Sequence, residues 1–152
     1  MQSVFGDMGR VSRLYETVNK INGKTYQFYN FWTTGAPDFI TFRDMFYKDG
    51  VKIVPSNIAD LIKSPLSLAV WVMEDGCLQK RNKGFYLCTD SFSYNDQILL
   101  KKAILDNFGL NVNIVKYASK YFRLRFGAKE TKKVSDIIRP YVIESMKYKL
   151  LD

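Results

Sequence analysis

The stretch from Ser64 to Gly76 constrains the fold of this chain more than any other part of the sequence. Ser64 and Pro65 form a typical helix start, with Ser as the N-cap and Pro at the first helical position. Apolar or small residues fill the positions from Leu66 to Met73, and Gly76 ends the helix. A helix that is apolar on all sides must be buried on all sides. We therefore predict a central helix that packs against several other elements.

Two adjacent acids, Glu74 and Asp75, lie at the end of this predicted helix. A buried carboxylate is costly, and the partial negative charge of the helix C-terminus adds to the cost. A divalent cation resolves both problems. Hard oxygen ligands favour Mg²⁺, which is usually held by one or two carboxylates with phosphate oxygens and water, and this combination indicates phosphodiester chemistry. The alternative is an ordinary helix C-terminus whose two acids face solvent.

The composition narrows both the chemistry and the partner. The chain has 152 residues, enough for a domain with a real core, and its net charge of +8 favours a polyanionic partner over a merely basic soluble protein. The absence of histidine excludes histidine bases, catalytic triads and most zinc sites. We expect Cys77 and Cys88 to be small buried residues in a reducing compartment. We also expect a soluble protein with no signal peptide and no membrane partner.

The predicted secondary structure indicates an α+β fold built from antiparallel hairpins. Asn22-Gly23 marks a tight turn between the first two strands. In order along the chain, the predicted elements are strands Ser12–Lys20 and Thr25–Thr33, a helix from Pro37, the helix from Pro65, strands Leu78–Asn82 and Phe85–Phe92, a helix Ser93–Asn107, strands Asn111–Ala118 and Tyr121–Phe126, and a last helix over about Glu130–Met146.

The order of these elements repeats. From residue 63 onward it is helix, two strands, helix, two strands, helix, whereas the first sixty residues give only strand, strand, helix. Residues 46–53 also align with residues 143–150, with a lysine near the end of each segment. We therefore predict two parts, the C-terminal half of a first repeat in residues 1–62 and a complete second repeat in residues 63–152.

The predicted strand from Tyr121 to Phe126 alternates apolar and polar residues, so that Arg123 and Arg125 share one face. One interpretation is a half-buried strand with solvated arginines. The other is a basic sheet face laid against DNA, where Arg reads base edges and Lys and Arg bind phosphates. Further cations on the hairpins favour the second interpretation. The predicted DNA-binding residues are Arg13, Lys80, Arg81, Lys83, Lys116, Arg123 and Arg125.

Four stretches in a fixed order resemble the LAGLIDADG homing endonucleases. Leu68–Gly76 is similar to the nonapeptide for which the family is named. Val51–Ile58 before it, Phe85–Phe92 after it and Arg139–Leu150 at the end are similar to its surroundings. The resemblance covers about residues 11–150 and is closest to the two-motif, intron-encoded organellar branch.

The resemblance implies a fold, a reaction and roles for particular residues. Each repeat is αββαββα with a saddle-shaped antiparallel sheet that covers duplex DNA, and two motif helices pack side by side. Asp75 matches the acid that binds the divalent cation, Mg²⁺ for example, and the backbone carbonyl of Glu74 matches its supporting ligand. Lys149 falls at the family's active-site lysine, and Lys52 lies at the corresponding place in the earlier half. Asp75, Lys149 and Lys52 are thus the expected catalytic residues.

Two departures from the family pattern affect this interpretation. Val70-Trp71 stands where the family's nonapeptide has small residues, including glycine, although bulky residues here suit the two-motif branch. The first motif helix is not recognised in the sequence, and Asp7 is only a weak match to its acid. We therefore expect an active site completed by another chain, either a separately encoded first half or a second copy.

Three functions remain open on the sequence. The favoured one is a magnesium-dependent DNA endonuclease that is completed by a second chain. The second is a maturase-like protein that binds intron RNA and assists splicing on the same fold. The third is an inactive remnant that folds and binds weakly. The resemblance implies a mitochondrion or another organelle as the location, with the bacterial cytoplasm as the alternative.

Overall fold

The structure is a computed structural model, and it describes residues 9–151, with the side chains of residues 13–37 and 39–151. The chain divides into two compact units, residues 1–43 and 44–152. The predicted match at Asp7 lies outside the described residues. Among the residues described, no helix is long and apolar enough to cross a bilayer.

The elements follow the predicted α+β order. They are β1 (Gly9–Val18), β2 (Thr25–Thr33), α1 (Pro37–Phe46), β3 (Tyr47–Lys48), β4 (Val51–Lys52), α2 (Ile58–Leu61), α3 (Pro65–Asp75), β5 (Gly76–Gln79), β6 (Gly84–Leu87), α4 (Tyr94–Phe108), β7 (Asn113–Tyr117), β8 (Tyr121–Phe126), α5 (Ala128–Ile138) and two 3₁₀ helices, Arg139–Tyr141 and Glu144–Lys149.

The first unit contains an antiparallel ribbon of β1 and β2, as predicted. The side-chain oxygen of Asn19 accepts hydrogen bonds from the backbone N–H groups of Ile21 (2.8 Å) and Asn22 (3.3 Å), and Gly23 adopts a left-handed φ of 68°. This side chain therefore holds the turn between the strands. Across the ribbon, Tyr15 stacks on Phe28 with ring centroids 5.7 Å apart.

The second unit is built on a four-stranded antiparallel sheet in the order β5-β6-β8-β7. Helices α3, α4 and α5 bury their apolar sides against one face of this sheet, in the layered arrangement of α+β domains. Phe85 on β6 and Phe126 on β8 are paired in register and meet edge to face at the centre of the core, with centroids 5.8 Å apart. Val54 and Ile58 also belong to this core, so residues 54–58 pack with the second unit.

Capping residues set the ends of the two central helices, as the sequence predicts. The Ser64 hydroxyl accepts the backbone N–H of Ser67 (3.1 Å) at the start of α3. Ser93 and Asp96 form a reciprocal capping box at the start of α4. Gly109 ends α4 in the left-handed conformation, with a φ of 63°.

Two predicted boundaries are wrong, and each has a local cause. The last helix ends at Ile138 rather than Met146 because Pro140 cannot continue it, and residues 144–149 form a 3₁₀ helix. Residues 47–52, within the segment that aligns with residues 143–150 in sequence, form a short hairpin. Strand β6 ends at Leu87 rather than Phe92, because the N–H of Thr89 turns back to the Leu87 carbonyl (3.0 Å).

Gly76 lies where no other residue fits. A Cβ atom added there would be 2.3 Å from the Phe85 ring and 2.3 Å from the Val72 carbonyl oxygen. We expect Gly76→Ala to lower the free energy of unfolding by about 1–3 kcal/mol or more, because the backbone carbonyl cannot move without breaking the end of α3. Chemical denaturation measures this change.

Gly127→Ser is the matched control for that substitution. A Cβ atom at Gly127 meets nothing within 4 Å, and the residue is the N-cap of α5, where Ser is preferred. We expect no loss of stability in this control. Equal stability of the two variants would contradict the steric role of Gly76.

Candidate active site and nucleic-acid interface

The end of helix α3 runs into strand β5 without a loop. Asp75 is the last helical residue and Gly76 the first of the strand. The Gly76 N–H closes the helix by donating to the Val72 carbonyl. The Cys88 N–H donates to the Asp75 carbonyl over 2.9 Å, which ties the junction to the end of β6. The backbone around Asp75 is thus fixed on both sides.

The prediction that the two acids are buried is wrong for the single chain. Glu74 and Asp75 are both exposed. Within residues 9–151, the Asp75 side chain forms no ion pair and no hydrogen bond, and no cluster of three or more acids and cysteines could hold a metal ion. The carboxylate at the helix end is therefore available to a ligand.

One flank of helix α3 is also exposed. Leu68, Ala69 and Val72 are buried in the core, but Leu66 is 52% and Val70 48% exposed. The helix is therefore not buried on all sides. The exposed apolar flank agrees with the expectation that a second helix covers it.

Lys149 supplies a positive charge at the end of α3. Its ammonium donates a hydrogen bond to the carbonyl oxygen of Met73, in the last turn of the helix. Carbonyls in the last turn lack partners within the helix, and a cation there is favoured by the helix dipole. The sequence predicted this lysine for the site, and the contact across 76 residues of chain brings it there.

Lys52, on strand β4 near the start of the second unit, also lies near the end of α3. It lines a pocket of about 190 Å³ together with Asp75, Trp71 and Phe92. Its ammonium lies 5.2 Å from the centroid of the Phe92 ring, a cation–π contact. The structure therefore brings Lys52 and Asp75 into one pocket, and Lys149 contacts the same helix end.

A second cleft joins this region to the basic hairpin turn. It has a volume of about 340 Å³, and Lys80, Lys149 and Tyr148 line it beside Gly76. Lys80, Arg81 and Lys83 occupy the turn between β5 and β6 and are exposed. The cleft thus places a hairpin lysine beside the candidate site.

The open face of the sheet carries aromatic and basic side chains. As predicted, Leu124 and Phe126 face the core, and Arg123 and Arg125 face away from it. Arg125 lies 6.0 Å from the centre of the Tyr86 ring. Lys116 is exposed on edge strand β7, but it is paired with Phe122 and therefore projects from the face that the helices cover rather than from the open face. Arg13 lies in the other unit, on β1, with its guanidinium 5.5 Å from the Tyr15 ring.

Arg123 has a partner that the sequence did not predict. Its Nε and Nη2 atoms donate to the two carboxylate oxygens of Asp90 over 2.7 and 2.8 Å. Its guanidinium carbon lies 3.4 Å from the centroid of the Tyr117 ring. The hydrogen bond to Asp90 raises the pKa of Arg123 above its ordinary value. Asp90 and Arg123 are 33 residues apart, and no spacing rule connects them.

The two cysteines differ from expectation in one respect. Cys77 is exposed on the open face of the sheet, whereas Cys88 is partly buried. Burial raises the pKa of the Cys88 thiol, and the nearby Arg123 partly offsets this effect. The Cys88 thiol is therefore neutral at physiological pH.

Comparisons with known proteins agree with this arrangement. The sequence profile of the LAGLIDADG DNA endonuclease family matches residues 9–134. A probable intron-encoded DNA endonuclease 3 of Mycosarcoma maydis is 31% identical over 126 residues, which are 80% of this chain and 92% of that protein. The cytochrome b mRNA maturase bI2 of Saccharomyces cerevisiae is 31% identical over 136 residues, and this chain spans only 31% of its length.

A solved structure extends the likeness to three dimensions. The homing endonuclease I-WcaI bound to its DNA recognition sequence superposes with a TM-score of 0.81 and 25% identity. The match covers 99% of this chain and 68% of that one. The fold and the family profile together define a LAGLIDADG protein of the homing endonuclease type. This chain belongs to the LAGLIDADG DNA endonuclease family.

Lys149→Met tests the contact at the end of α3. We expect the free energy of unfolding to fall by about 1 kcal/mol, because the Met73 carbonyl loses its donor and the helix end loses its cation. Lys147→Met is the matched control, since Lys147 pairs only with exposed Glu144 one turn away (2.5 Å) and should contribute less than about 0.5 kcal/mol. Equal losses in urea denaturation would contradict the capping role.

Proposed function

We propose that this chain supplies one half of the catalytic site of a site-specific, divalent-metal-dependent DNA endonuclease. The observation that carries the proposal is the exposed carboxylate of Asp75, which has no partner among residues 9–151 and lies at a helix end between two lysine-lined clefts. Lysines beside a carboxylate attract a phosphate backbone, which the carboxylate alone would repel. This arrangement suits hydrolysis of a phosphodiester bond.

The oxygen atoms at the end of α3 suit a hard divalent cation such as Mg²⁺. Asp75 offers a free carboxylate, and Glu74 offers a backbone carbonyl in a turn where carbonyls lack helical partners. Mg²⁺ is commonly held by one or two carboxylates, with phosphate oxygens and water completing its shell. When bound, the ion supplies Lewis-acid activation of the phosphodiester and of water.

The lysines have separate roles in this proposal. Lys149 is held by the Met73 carbonyl, so its ammonium is already oriented near the reacting phosphate and can stabilise the negative charge that develops there. Lys52 lines the pocket of Asp75 without an ion pair to it, and can orient water or phosphate from that side. Both act by preorganised positive charge near the phosphate.

A second LAGLIDADG unit completes the site. The described residues contribute one metal-binding acid, and the exposed flank of α3 at Leu66 and Val70 gives another motif helix an apolar surface to cover. A separately encoded chain or a second copy could supply that unit. A site with a single acid favours nicking of one strand, whereas two acids allow both strands to be cut.

A maturase-like role is the second candidate, and one observation favours it. The yeast relative at 31% identity is an mRNA maturase. A basic sheet face with exposed tyrosines can bind intron RNA as well as duplex DNA. Intron-encoded relatives also favour a mitochondrion or another organelle as the location of this protein.

Asp75→Asn tests the endonuclease role. We expect Mg²⁺-dependent cleavage or nicking of target duplex to fall by at least about a thousandfold, as removal of a major electrostatic contributor does in enzymes, while binding survives. Glu74→Gln is the matched control, because only the backbone carbonyl of Glu74 enters the site. Gel assays of cleavage and binding measure both effects. Cleavage by the Asp75 variant at the wild-type rate would remove Asp75 from the reaction.

Val70→Lys tests the proposed contact between α3 and a second chain. We expect wild-type protein to form a two-chain complex at high concentration, and the variant to remain monomeric because a cation on the flank opposes its burial. Ile98→Lys is the control, since Ile98 is similarly exposed (46%) but lies on α4. Light scattering gives the mass. A lone wild-type monomer that cuts both strands would contradict the need for a partner.

A further inference from the structure

The ion pair of Asp90 with Arg123 is a feature of the open sheet face that simple attraction to DNA does not explain. An acid on a surface that binds phosphates opposes binding, and it also cancels the charge of its arginine partner. Both side chains are nevertheless joined by two hydrogen bonds and mostly covered, with 20% of Arg123 and 31% of Asp90 exposed. The pair therefore needs a role other than adding positive charge.

The geometry of the pair leaves part of the guanidinium free. Arginine has five N–H donors, and Asp90 engages the Nε–H and one N–H of Nη2. The outer edge of the group, formed by Nη1 and Nη2, keeps two parallel donors. Tyr117 stacks against the guanidinium plane at 3.4 Å and limits its rotation. Arg123 and Tyr117 line a concavity of about 290 Å³ on the open face.

A buried amide fixes the backbone next to both members of the pair. The Gln97 side chain donates to the carbonyls of Thr89 (2.8 Å) and Phe122 (3.3 Å), and its oxygen accepts the Thr89 hydroxyl (2.7 Å). Gln97 is fully buried. Thr89 precedes Asp90 and Phe122 precedes Arg123, so the loop and the strand that carry the pair are held together from within the core.

Arg125 provides the contrast on the same strand. It lies two residues further along the same face, forms no ion pair within residues 9–151, and sits 6.0 Å from the Tyr86 ring. A guanidinium whose charge is not offset by a carboxylate suits a phosphate, because phosphate contacts depend mainly on charge. The two arginines are therefore equipped for different partners.

We propose that Asp90 is a positioning residue that holds Arg123 as a reader of guanine, while Arg125 binds the phosphate backbone. The two parallel donors left on Arg123 match the O6 and N7 acceptors that guanine presents in the major groove. This inference rests on the proposed DNA-binding function and names the part of the sheet that determines base specificity.

The experiment selects binding sites from a pool of duplexes with random sequence, by sequencing before and after binding to the full chain. The variants are Asp90→Asn, Arg123→Lys, Arg123→Ala, Arg125→Ala and the double variant D90N/R123A. Asp136→Asn is the matched control, because Asp136 also loses a lysine partner (Lys132, 3.3 Å) but lies on helix α5. Thermal melting verifies that each protein is folded.

We expect wild-type protein to select sites with a guanine that D90N and R123K no longer prefer, each losing about tenfold of that preference. Affinity of D90N for random duplex should stay equal or rise, because one negative charge leaves the face. R125A should instead weaken binding to all duplexes and lower the salt dependence by about one counterion. D90N/R123A should discriminate no worse than R123A, since Asp90 acts through Arg123.

The outcomes separate this inference from the proposed function. Wild-type protein that binds no duplex overturns both. Wild-type protein that binds but selects no sequence, a D90N variant that keeps the wild-type preference, or a further loss of preference in D90N/R123A overturns the role of Asp90 alone. If D90N fails to fold, R123K still tests the inference, because Lys keeps the positive charge but cannot supply the planar pair of donors.

Discussion

The close approach of Gly76 to the Phe85 ring is the constraint on which the candidate site depends. Helix α3 ends and strand β5 begins at adjacent residues, and this is sterically possible only without a side chain at the junction. Because no loop intervenes, the position of Asp75 is set by the rigid core beneath it, in which Phe85 packs on Phe126. A carboxylate that must meet a phosphate and a cation within a few tenths of an ångström is better placed on such a junction than on a flexible loop.

Local signals in the sequence predicted most of the fold and indicated Asp75 as the candidate acid of the site. Ser64, Pro65 and Gly76 gave the limits of α3, and the alternation of β8 gave its two faces, because capping and periodicity act over a few residues. The last helix ends earlier than its apolar pattern predicts because Pro140 cannot continue it. The resemblance to a known family pointed to Lys149 and Lys52, whose places in the fold depend on long-range packing.

The contacts that the sequence could not predict are long-range and between side chains. Asp90 is 33 residues from Arg123, and Gln97 bonds to carbonyls of two separate segments. Neither residue has a periodic or capping signature at its position. The sequence leaves burial and exposure of Asp75 as alternatives, because an all-apolar helix can be covered on every side only if enough neighbours pack on it. In the described chain, one flank of that helix remains open at Leu66 and Val70.

Two pairs of neighbouring charges in the second unit are arranged in opposite ways. At the end of α3, Lys149 meets the negative end of the helix dipole and leaves the Asp75 carboxylate unpaired. On the open sheet face, Asp90 does the reverse: it neutralises Arg123 and leaves Arg125 as a free cation. In the proposed function, the first arrangement leaves an anionic ligand for a metal, and the second leaves a hydrogen-bonding edge for a base. On the sheet face, the pairing of Asp90 with Arg123 offsets a positive charge that would otherwise attract any phosphate. In the proposed function, this allows a strongly basic protein to bind a polyanion and still discriminate among sequences.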